Sequence, residues 1–210
     1  LPPIPRIVWP NLAILPLWNP IVLVPAESGN EASVRKPALG QRDRREEEIL
    51  SNPKRLVIGI SGASGVIYGV RLLEKLQTTD IETHLVVTPS AEITLAYETD
   101  KNIASLRSLA TVAYPCRDIG AAIASGSYLT LGMIIVPCSI RSLSEIATGV
   151  TSNLLTRAAD VTLKERRRLV LMVRETPLHL GHLRSMTQVT EMGGIIMPPV
   201  PSFYAKPQSL

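Results

Sequence analysis

The stretch Gly59–Gly69 combines small and hydroxyl-bearing residues in the pattern of a ligand-binding loop. An apolar run of strand length ends at Ser61-Gly62-Ala63-Ser64-Gly65, and apolar residues then recur with helical spacing. A parallel strand that feeds a helix leaves free backbone N–H groups at the turn, and such groups bind anions. The small residues would let a ligand approach the backbone, and Ser61 or Ser64 could cap the helix or donate to a phosphate oxygen. The loop therefore predicts an anionic ligand, with a phosphate as the best candidate.

Three common loop motifs are excluded by the same residues. The loop lacks the Lys-Ser/Thr pair of a Walker A P-loop, and its glycines do not fit the G-x-G-x-x-G dinucleotide pattern. It also has no G-x-S-x-G nucleophile elbow. A tight structural turn in any α/β domain uses similar residues, so the loop alone leaves both interpretations open.

Strand and helix signals alternate from Lys54 onward, which is typical of a parallel sheet with helices on both faces. The pattern predicts about five strands, at 56–61, 82–88, 131–137, 168–174 and 194–197. It predicts helices at 64–77, 90–97 (with Ser90 as N-cap) and 180–192, a helix that opens at 142–148 and continues through 159, and a short helical or irregular segment at 121–125.

Polar residues follow these strands and would meet at one edge of the sheet, because parallel strands end on the same side and ligands bind there. They lie in the segments 61–64, 88, 137–141, 174–177 and 201–204. This convergence favours a phosphate site over a purely structural turn.

Composition excludes several classes of protein. The net charge of +4 is only mildly basic and aromatic residues make up 4% of the chain, so a nucleic-acid partner is not expected. Two cysteines form neither a disulfide framework nor a metal-ligand cluster, which indicates a reducing compartment such as the cytoplasm. No apolar stretch approaches the roughly 18 residues of a membrane span.

Residues 1–53 differ in composition from the rest of the chain. They hold nine of the seventeen prolines and both tryptophans, without a sustained helix or strand period. We interpret them as a disordered or non-native extension; a targeting or partner-binding tail is the alternative. The globular domain is expected from Lys54 to Leu210.

Five motifs in order make the chain from about Lys54 to its end resemble the UbiX-type flavin prenyltransferases, in the flavoprotein superfamily that also holds cysteine decarboxylases. The motifs are GISGASGVIYG (59–69), ETD (98–100), PCSIRSLSEIATG (137–149), LLTRAADVTLKERRRLVLMVRETPLHLGH (154–182) and PPVPSFYAKPQSL (198–210). The resemblance implies a Rossmann-like, flavodoxin-like three-layer α/β fold and the joining of a dimethylallyl group, from dimethylallyl monophosphate, to reduced FMN. It also implies a homododecamer with flavin sites between subunits, and a UbiD-type decarboxylase, in ubiquinone biosynthesis or aromatic acid decarboxylation, that receives the prenylated FMN.

The resemblance also assigns roles to individual residues. Tyr204 and Lys164 match residues at the prenyl phosphate, Arg174 and Glu175 lie beside it, and Glu98 matches an acidic residue near the reacting flavin. These five are the candidate catalytic residues. The candidate FMN contacts are Gly62, Ala63, Ser64, Thr88, Ser139, Ile140, Arg141, Ser142 and Arg174.

The chemistry of these residue types agrees with those roles. Breaking an allylic C–O bond leaves a phosphate whose negative charge cationic and hydroxyl donors can stabilise in a dry pocket. Lys164, Arg174 and Tyr204 supply such donors, and Glu175 could accept a proton or relay one to the departing phosphate. The sequence has no aspartate-rich motif of the kind that holds Mg²⁺ on a diphosphate, so we expect a metal-free reaction.

Two other functions stay open at this point. The chain could be a flavin-dependent carboxy-lyase like the cysteine decarboxylases, or a non-catalytic FMN-binding subunit of a decarboxylase. The segments PCSIRSLSEIATG and FYAKPQSL favour prenyl transfer. The family pattern continues past Leu210 into a final helix that carries a basic residue for the prenyl phosphate, and we expect this helix to be missing from the domain. We therefore expect the 210-residue chain to bind FMN more readily than it catalyses prenylation.

Overall fold

The computed structural model describes residues 53–201 and 203–205, so the interpretations of residues 1–52, 202 and 206–210 lie outside the described part of the chain. The strands are β1 (Lys54–Ile60), β2 (Ile81–Val87), β3 (Val112–Tyr114), β4 (Gly132–Cys138), β5 (Arg168–Val173) and β6 (Ile195–Ile196). The α-helices are α1 (Val66–Leu76), α2 (Pro89–Glu98), α3 (Ile103–Arg107), α4 (Ile140–Thr148), α5 (Leu154–Lys164) and α6 (Leu180–Glu191). Short 3₁₀ turns span Ala122–Ala124 and Phe203–Ala205.

The six strands form one parallel sheet in the order β3-β2-β1-β4-β5-β6. Ile58 of β1 pairs with Leu85 on one side and with Ile134 on the other. The strand order reverses at this point, because β2 and β4 flank β1 on opposite sides. In open α/β sheets the crevice beyond the carboxyl ends of such strands is the usual ligand site.

Two apolar clusters cover the two faces of the sheet and make a three-layer core. Alternate residues of one strand enter different clusters, since successive side chains of a strand point to opposite faces. Val57 packs in the cluster that holds Leu143 of α4 and Leu154 of α5, whereas Ile58 packs in the cluster that holds Leu73 of α1. The expected parallel sheet with helices on both faces is confirmed.

The prediction of one helix continuing from 142–148 through 159 was wrong. Helix α4 ends at Gly149, which adopts a left-handed φ of 73°, and α5 begins after Asn153. The Asn153 side chain accepts hydrogen bonds from the N–H groups of Leu155 and Thr156, so it caps a new helix. Glycine at a helix end and asparagine at the next helix start are standard signals for such a break.

Two short elements were absent from the prediction. β3 and α3 span three and five residues, and each is too short to show a clear apolar period. β3 extends the sheet at its edge, where His84 of β2 pairs with Val112. Within residues 53–201 and 203–205, none of the helices combines the length and the hydropathy that spanning a membrane requires.

Candidate functional site

Ser61 joins the loop after β1 to the loop after β4. Its side chain is 1% exposed, its hydroxyl donates to the Pro137 carbonyl at 3.0 Å, and its oxygen accepts from the Ser139 N–H at 2.7 Å. The Ser61 N–H donates to the same Pro137 carbonyl at 3.1 Å. The two loops at the reversal of strand order are thereby held in one fixed arrangement.

A cleft of about 500 Å³ lies beside this bridge. Thr88, Ser139 and Asn153 line it, and they are the N-caps of α2, α4 and α5. We call this space the N-cap cleft. The N-terminus of a helix carries partial positive charge and unpaired N–H groups, so three helix starts around one cleft favour an anion there.

The hydrogen-bond donors of the N-cap cleft that have no acceptor among the described residues are mainly backbone N–H groups of α4. Thr88 Oγ1 accepts from the Ala91 N–H at 3.2 Å, and Ser139 Oγ accepts from the Ser142 N–H at 3.3 Å, so these oxygens already serve their own helices. In the part of the chain that the structure describes, the N–H groups of Ile140 and Arg141 have no hydrogen-bond acceptor. Both are therefore available to an anionic ligand.

Gly62 forms the wall of the N-cap cleft nearest the loop after β1. A Cβ at this position would lie 2.4 Å from Ser90 Oγ and 2.5 Å from Ser90 Cβ, closer than real atoms approach. Glycine is thus required here by close packing against the start of α2. Gly62 and Ser90 both line the cleft.

A second cleft, of about 430 Å³, is also lined by residues of the loop after β1 and contains Glu98 and Arg174. Its remaining lining residues are Ser64, Gly65, Ile67, Tyr68 and Pro199. We call this space the Glu98 cleft. Glu98 is the last residue of α2, and Arg174 directly follows β5, so elements from both halves of the sheet meet here.

Capping of α1, one of the two roles open to Ser61 and Ser64, is not made by either residue. Gly65 occupies the N-cap position without a side-chain cap, and a carboxylate from another helix takes that role: Glu98 Oε2 accepts from the N–H groups of Gly65 at 2.8 Å and of Val66 at 3.1 Å. Likewise Thr88, and not Ser90, is the N-cap of α2. Two backbone N–H groups that were expected to bind an external anion therefore donate to the Glu98 carboxylate instead.

The environment of Glu98 favours its ionised form. Partial burial raises the pKa of the carboxyl group, but hydrogen bonds from Ser64, Gly65 and Val66 and the positive charge of Arg174 outweigh it. The pKa of Glu98 therefore lies below its ordinary value of 4.5. At neutral pH the Glu98 cleft holds a carboxylate opposite a guanidinium.

The structure separates the predicted FMN contacts into two groups around the loop after β1. Ser64 and Arg174 line the Glu98 cleft, and Gly62, Thr88, Ser139, Arg141 and Ser142 line the N-cap cleft. Ala63 lies within the loop and Ile140 is the first residue of α4, between two lining residues. All nine positions thus lie at the carboxyl edge of the sheet.

The other candidate catalytic residues are less closely grouped. Glu175 follows Arg174 and is exposed, and its Oε1 accepts from the Thr176 N–H at 3.0 Å. Tyr204 is 91% exposed and lines neither cleft. Lys164 ends α5 and pairs with Glu165, at the amino end of β5, whereas Arg174 follows its carboxyl end. Six strand residues span roughly 20 Å, so a single chain does not bring Lys164 to Arg174.

The cysteines do not supply a nucleophile to either cleft. Complete burial raises the pKa of the Cys138 thiol to about 12, so it stays protonated at neutral pH. Burial also raises the pKa of Cys116, which lines the N-cap cleft. Among the residues that the structure describes, no group of three or more His, Cys, Asp or Glu side chains could hold a metal ion.

Sequence reasoning missed four polar residues that line the N-cap cleft: Arg117, Glu145, Ser152 and Asn153. Asn153 carried a readable signal, because Asn153 and Thr156 form a capping box at the start of α5. Arg117 carried none, since it follows a strand of three residues that has no clear pattern.

Comparison with known proteins identifies the family. The Flavoprotein family model matches residues 44–205. The chain is 64% identical over 158 residues to flavin prenyltransferase UbiX of Escherichia coli K12, covering 75% of this chain and 84% of that protein. It is 60% identical over 156 residues to flavin prenyltransferase UbiX of Thauera aromatica, covering 74% and 80%.

Solved structures agree in fold. A crystal structure of AnUbiX (PadA1) in complex with FMN and dimethylallyl pyrophosphate is 46% identical and covers 76% of this chain and 85% of that one, with a TM-score of 0.74. A dodecameric FMN-dependent UbiX-like decarboxylase from Escherichia coli O157:H7 is 41% identical and covers 74% and 86%, with a TM-score of 0.72. The fold class and family expected from the sequence are confirmed: this chain belongs to the flavoprotein family and, within it, to the UbiX-type flavin prenyltransferases.

Proposed function

We propose that this chain transfers a dimethylallyl group from dimethylallyl monophosphate to reduced FMN, with prenylated FMN as the product. One observation carries the proposal: two clefts share the loop after β1, one surrounded by three helix N-termini and the other holding a carboxylate opposite a guanidinium. FMN has a matching division between a phosphate tail and a reactive ring. Relatives named as flavin prenyltransferases support the same assignment.

The phosphate of FMN belongs in the N-cap cleft. The unpaired N–H groups of Ile140 and Arg141 and the hydroxyl groups of Thr88 and Ser142 offer donors there. The start of α1 is a poorer site, because Glu98 already accepts from its first N–H groups and would repel a second anion. Ser64 and Arg174, which line the Glu98 cleft, would then hold the ring side of the flavin.

The Glu98 cleft is where the protein would hold the reacting groups. Reduced FMN, when bound, supplies the electron-rich ring that bonds to the dimethylallyl group. The allylic C–O bond breaks and its electron pair leaves with the phosphate, so positive donors must stabilise that group. Arg174 already faces this cleft, and Tyr204 would add a hydroxyl donor. Glu175 would supply or take up the proton of the departing phosphate.

Lys164 reaches this site only if a second copy of the chain provides it. Within one chain it lies at the opposite edge of the sheet from Arg174. Large apolar side chains are exposed near the Glu98 cleft, including Ile67, Tyr68 and Tyr97, as expected of a surface that another subunit covers. We therefore propose a homo-oligomer, with a dodecamer as its size, as in the Escherichia coli O157:H7 structure.

The proposal also covers the protein that receives the product and the compartment in which this chain works. Prenylated FMN would pass to a UbiD-type decarboxylase in ubiquinone biosynthesis or aromatic acid decarboxylation. Both cysteines of the chain are free thiols in the structure, which suits the reducing cytoplasm.

Mass measurement of the flavin tests the function directly. The chain is incubated without oxygen with reduced FMN and dimethylallyl monophosphate, and the released flavin is expected to gain one C₅H₈ unit. A parallel sample with the diphosphate identifies the preferred donor. Glu175→Gln should retain FMN and lose product, whereas Glu191→Gln, an exposed residue at the end of α6, should behave as wild type.

Two results would contradict prenyl transfer. Bound flavin of unchanged mass, under conditions in which a known relative forms product, would indicate an FMN-binding subunit. Release of CO₂ from a cysteine-like substrate without flavin prenylation would indicate a carboxy-lyase.

A further inference from the structure

The N-cap cleft contains one positive charge that the cleft itself does not neutralise. Its charged lining residues are Arg117, Arg141 and Glu145. Arg141 Nε donates to Glu145 Oε1 at 2.9 Å, so these two charges compensate each other. Arg117 has no ion-pair partner within residues 53–201 and 203–205. The net charge of the cleft lining is therefore that of the Arg117 guanidinium.

The backbone of Arg117 is fixed at the rim of this cleft. The N–H of Leu154, the first residue of α5, donates to the Cys116 carbonyl at 2.9 Å, and the Asp118 N–H donates to the Pro115 carbonyl at 3.0 Å. The Arg117 side chain is exposed, so it can turn toward a bound anion without breaking a buried contact. A fixed backbone with an exposed guanidinium suits the binding of a phosphate in this cleft.

The other groups that line the N-cap cleft do not fully balance the charge of a phosphate. Helix N-termini contribute partial charges of roughly +0.5 each, whereas a phosphate monoester carries about −1.5 to −2 at neutral pH. Hydroxyl groups add hydrogen bonds but no charge. The three helix starts together supply about +1.5, so up to about half a negative charge of the phosphate is left unbalanced. Arg141 is already paired with Glu145, and the Arg117 guanidinium is the lining charge that can balance the remainder.

We propose that Arg117 binds the flavin phosphate and makes the site select phosphorylated flavin, FMN, over riboflavin. This inference rests on the proposed function, since it assumes that the N-cap cleft holds the phosphate of FMN. Arg117 is a specificity-determining residue in this scheme, because it contacts the part of the cofactor that riboflavin lacks. A charge-assisted hydrogen bond of this kind contributes about 10-fold to 100-fold to affinity.

Titration of the full chain with FMN and with riboflavin, followed by flavin fluorescence, tests the proposal. Arg117→Met is expected to weaken FMN binding at least about 10-fold and to leave riboflavin binding unchanged. It should also reduce the dependence of FMN affinity on salt, because one screened charge pair is lost. Arg117→Lys should retain part of the FMN preference. Arg168→Met, an exposed arginine at the amino end of β5, is the matched control and should bind both flavins as wild type does.

The outcomes separate this inference from the proposed function. If wild type binds FMN tightly and Arg117→Met binds it equally well, Arg117 does not bind the flavin phosphate, although the proposed FMN site is retained. An equal loss of FMN and riboflavin binding in Arg117→Met would show a structural effect and would also overturn the inference. If wild type binds neither flavin, the proposed function fails and the inference with it.

Discussion

Replacing Ser61 by alanine tests how the two loops at the strand-order reversal are held together. The hydroxyl makes two hydrogen bonds, to the Pro137 carbonyl and from the Ser139 N–H, and Ser61 is 1% exposed. The Pro137 carbonyl would keep its bond from the Ser61 N–H, so the main loss is an unpaired N–H at Ser139. An unpaired, partly buried donor costs about 1–3 kcal/mol and the second bond about 0.5–1.5 kcal/mol. We expect the free energy of unfolding to fall by about 2–4 kcal/mol.

Urea unfolding followed by circular dichroism measures this change, with Ser108→Ala as the matched control. Ser108 is exposed, and its hydroxyl makes one hydrogen bond to the Ser105 carbonyl, so its loss should change the unfolding free energy by less than about 0.5 kcal/mol. FMN affinity should also fall in Ser61→Ala, because Ser139 and the start of α4 lose their anchor. A Ser61→Ala protein as stable as the control variant would refute the idea that this bridge fixes the site.

Three further predictions follow from the packing and the charges. Gly62→Ala should weaken FMN binding in a titration, because the added Cβ would displace Ser90 at the start of α2. Unchanged FMN affinity would show that α2 shifts to accept the Cβ without harm to the site. Ionised Glu98 caps α1, and its pKa in the folded state lies below the ordinary value of 4.5. The stability that Glu98 contributes is therefore fully present above that ordinary pKa, and it is lost as the pH falls through the folded-state pKa. The gap in unfolding free energy between wild type and Glu98→Gln should therefore close in acid, and a constant gap from pH 7 to pH 3 would contradict this. Burial lowers the pKa of His84, whose Nδ1 lies 2.9 Å from the Tyr114 hydroxyl. The unfolded chain then binds a proton first, and wild type should lose stability below about pH 6.5 more steeply than His84→Gln. Parallel curves for the two proteins would show that His84 does not titrate on unfolding.

The break between α4 and α5 shows how much of the fold could be read locally. Gly149 and Asn153 are recognisable end and start signals, but the apolar period of 142–159 hides the five residues that separate the two helices. β3 could not be predicted from three residues, because its strand conformation depends on pairing with β2. Long elements such as β1 and α6 were predicted to within two residues, since each has enough residues to show its period.

The sequence by itself determined the alternation of strands and helices, the family, and the segments that meet at the carboxyl edge of the sheet. Residue type and spacing suffice for these features, because they arise between near neighbours. The tertiary structure decided how the segments are used: Glu98 caps a helix that begins 32 residues earlier, three N-caps surround one cleft, and Lys164 lies at the far edge. Such relations depend on how distant elements pack, and no local pattern contains that information. In the function that we propose, the loop at Gly59–Gly69 lies beside the flavin, and the phosphate of FMN binds in the N-cap cleft.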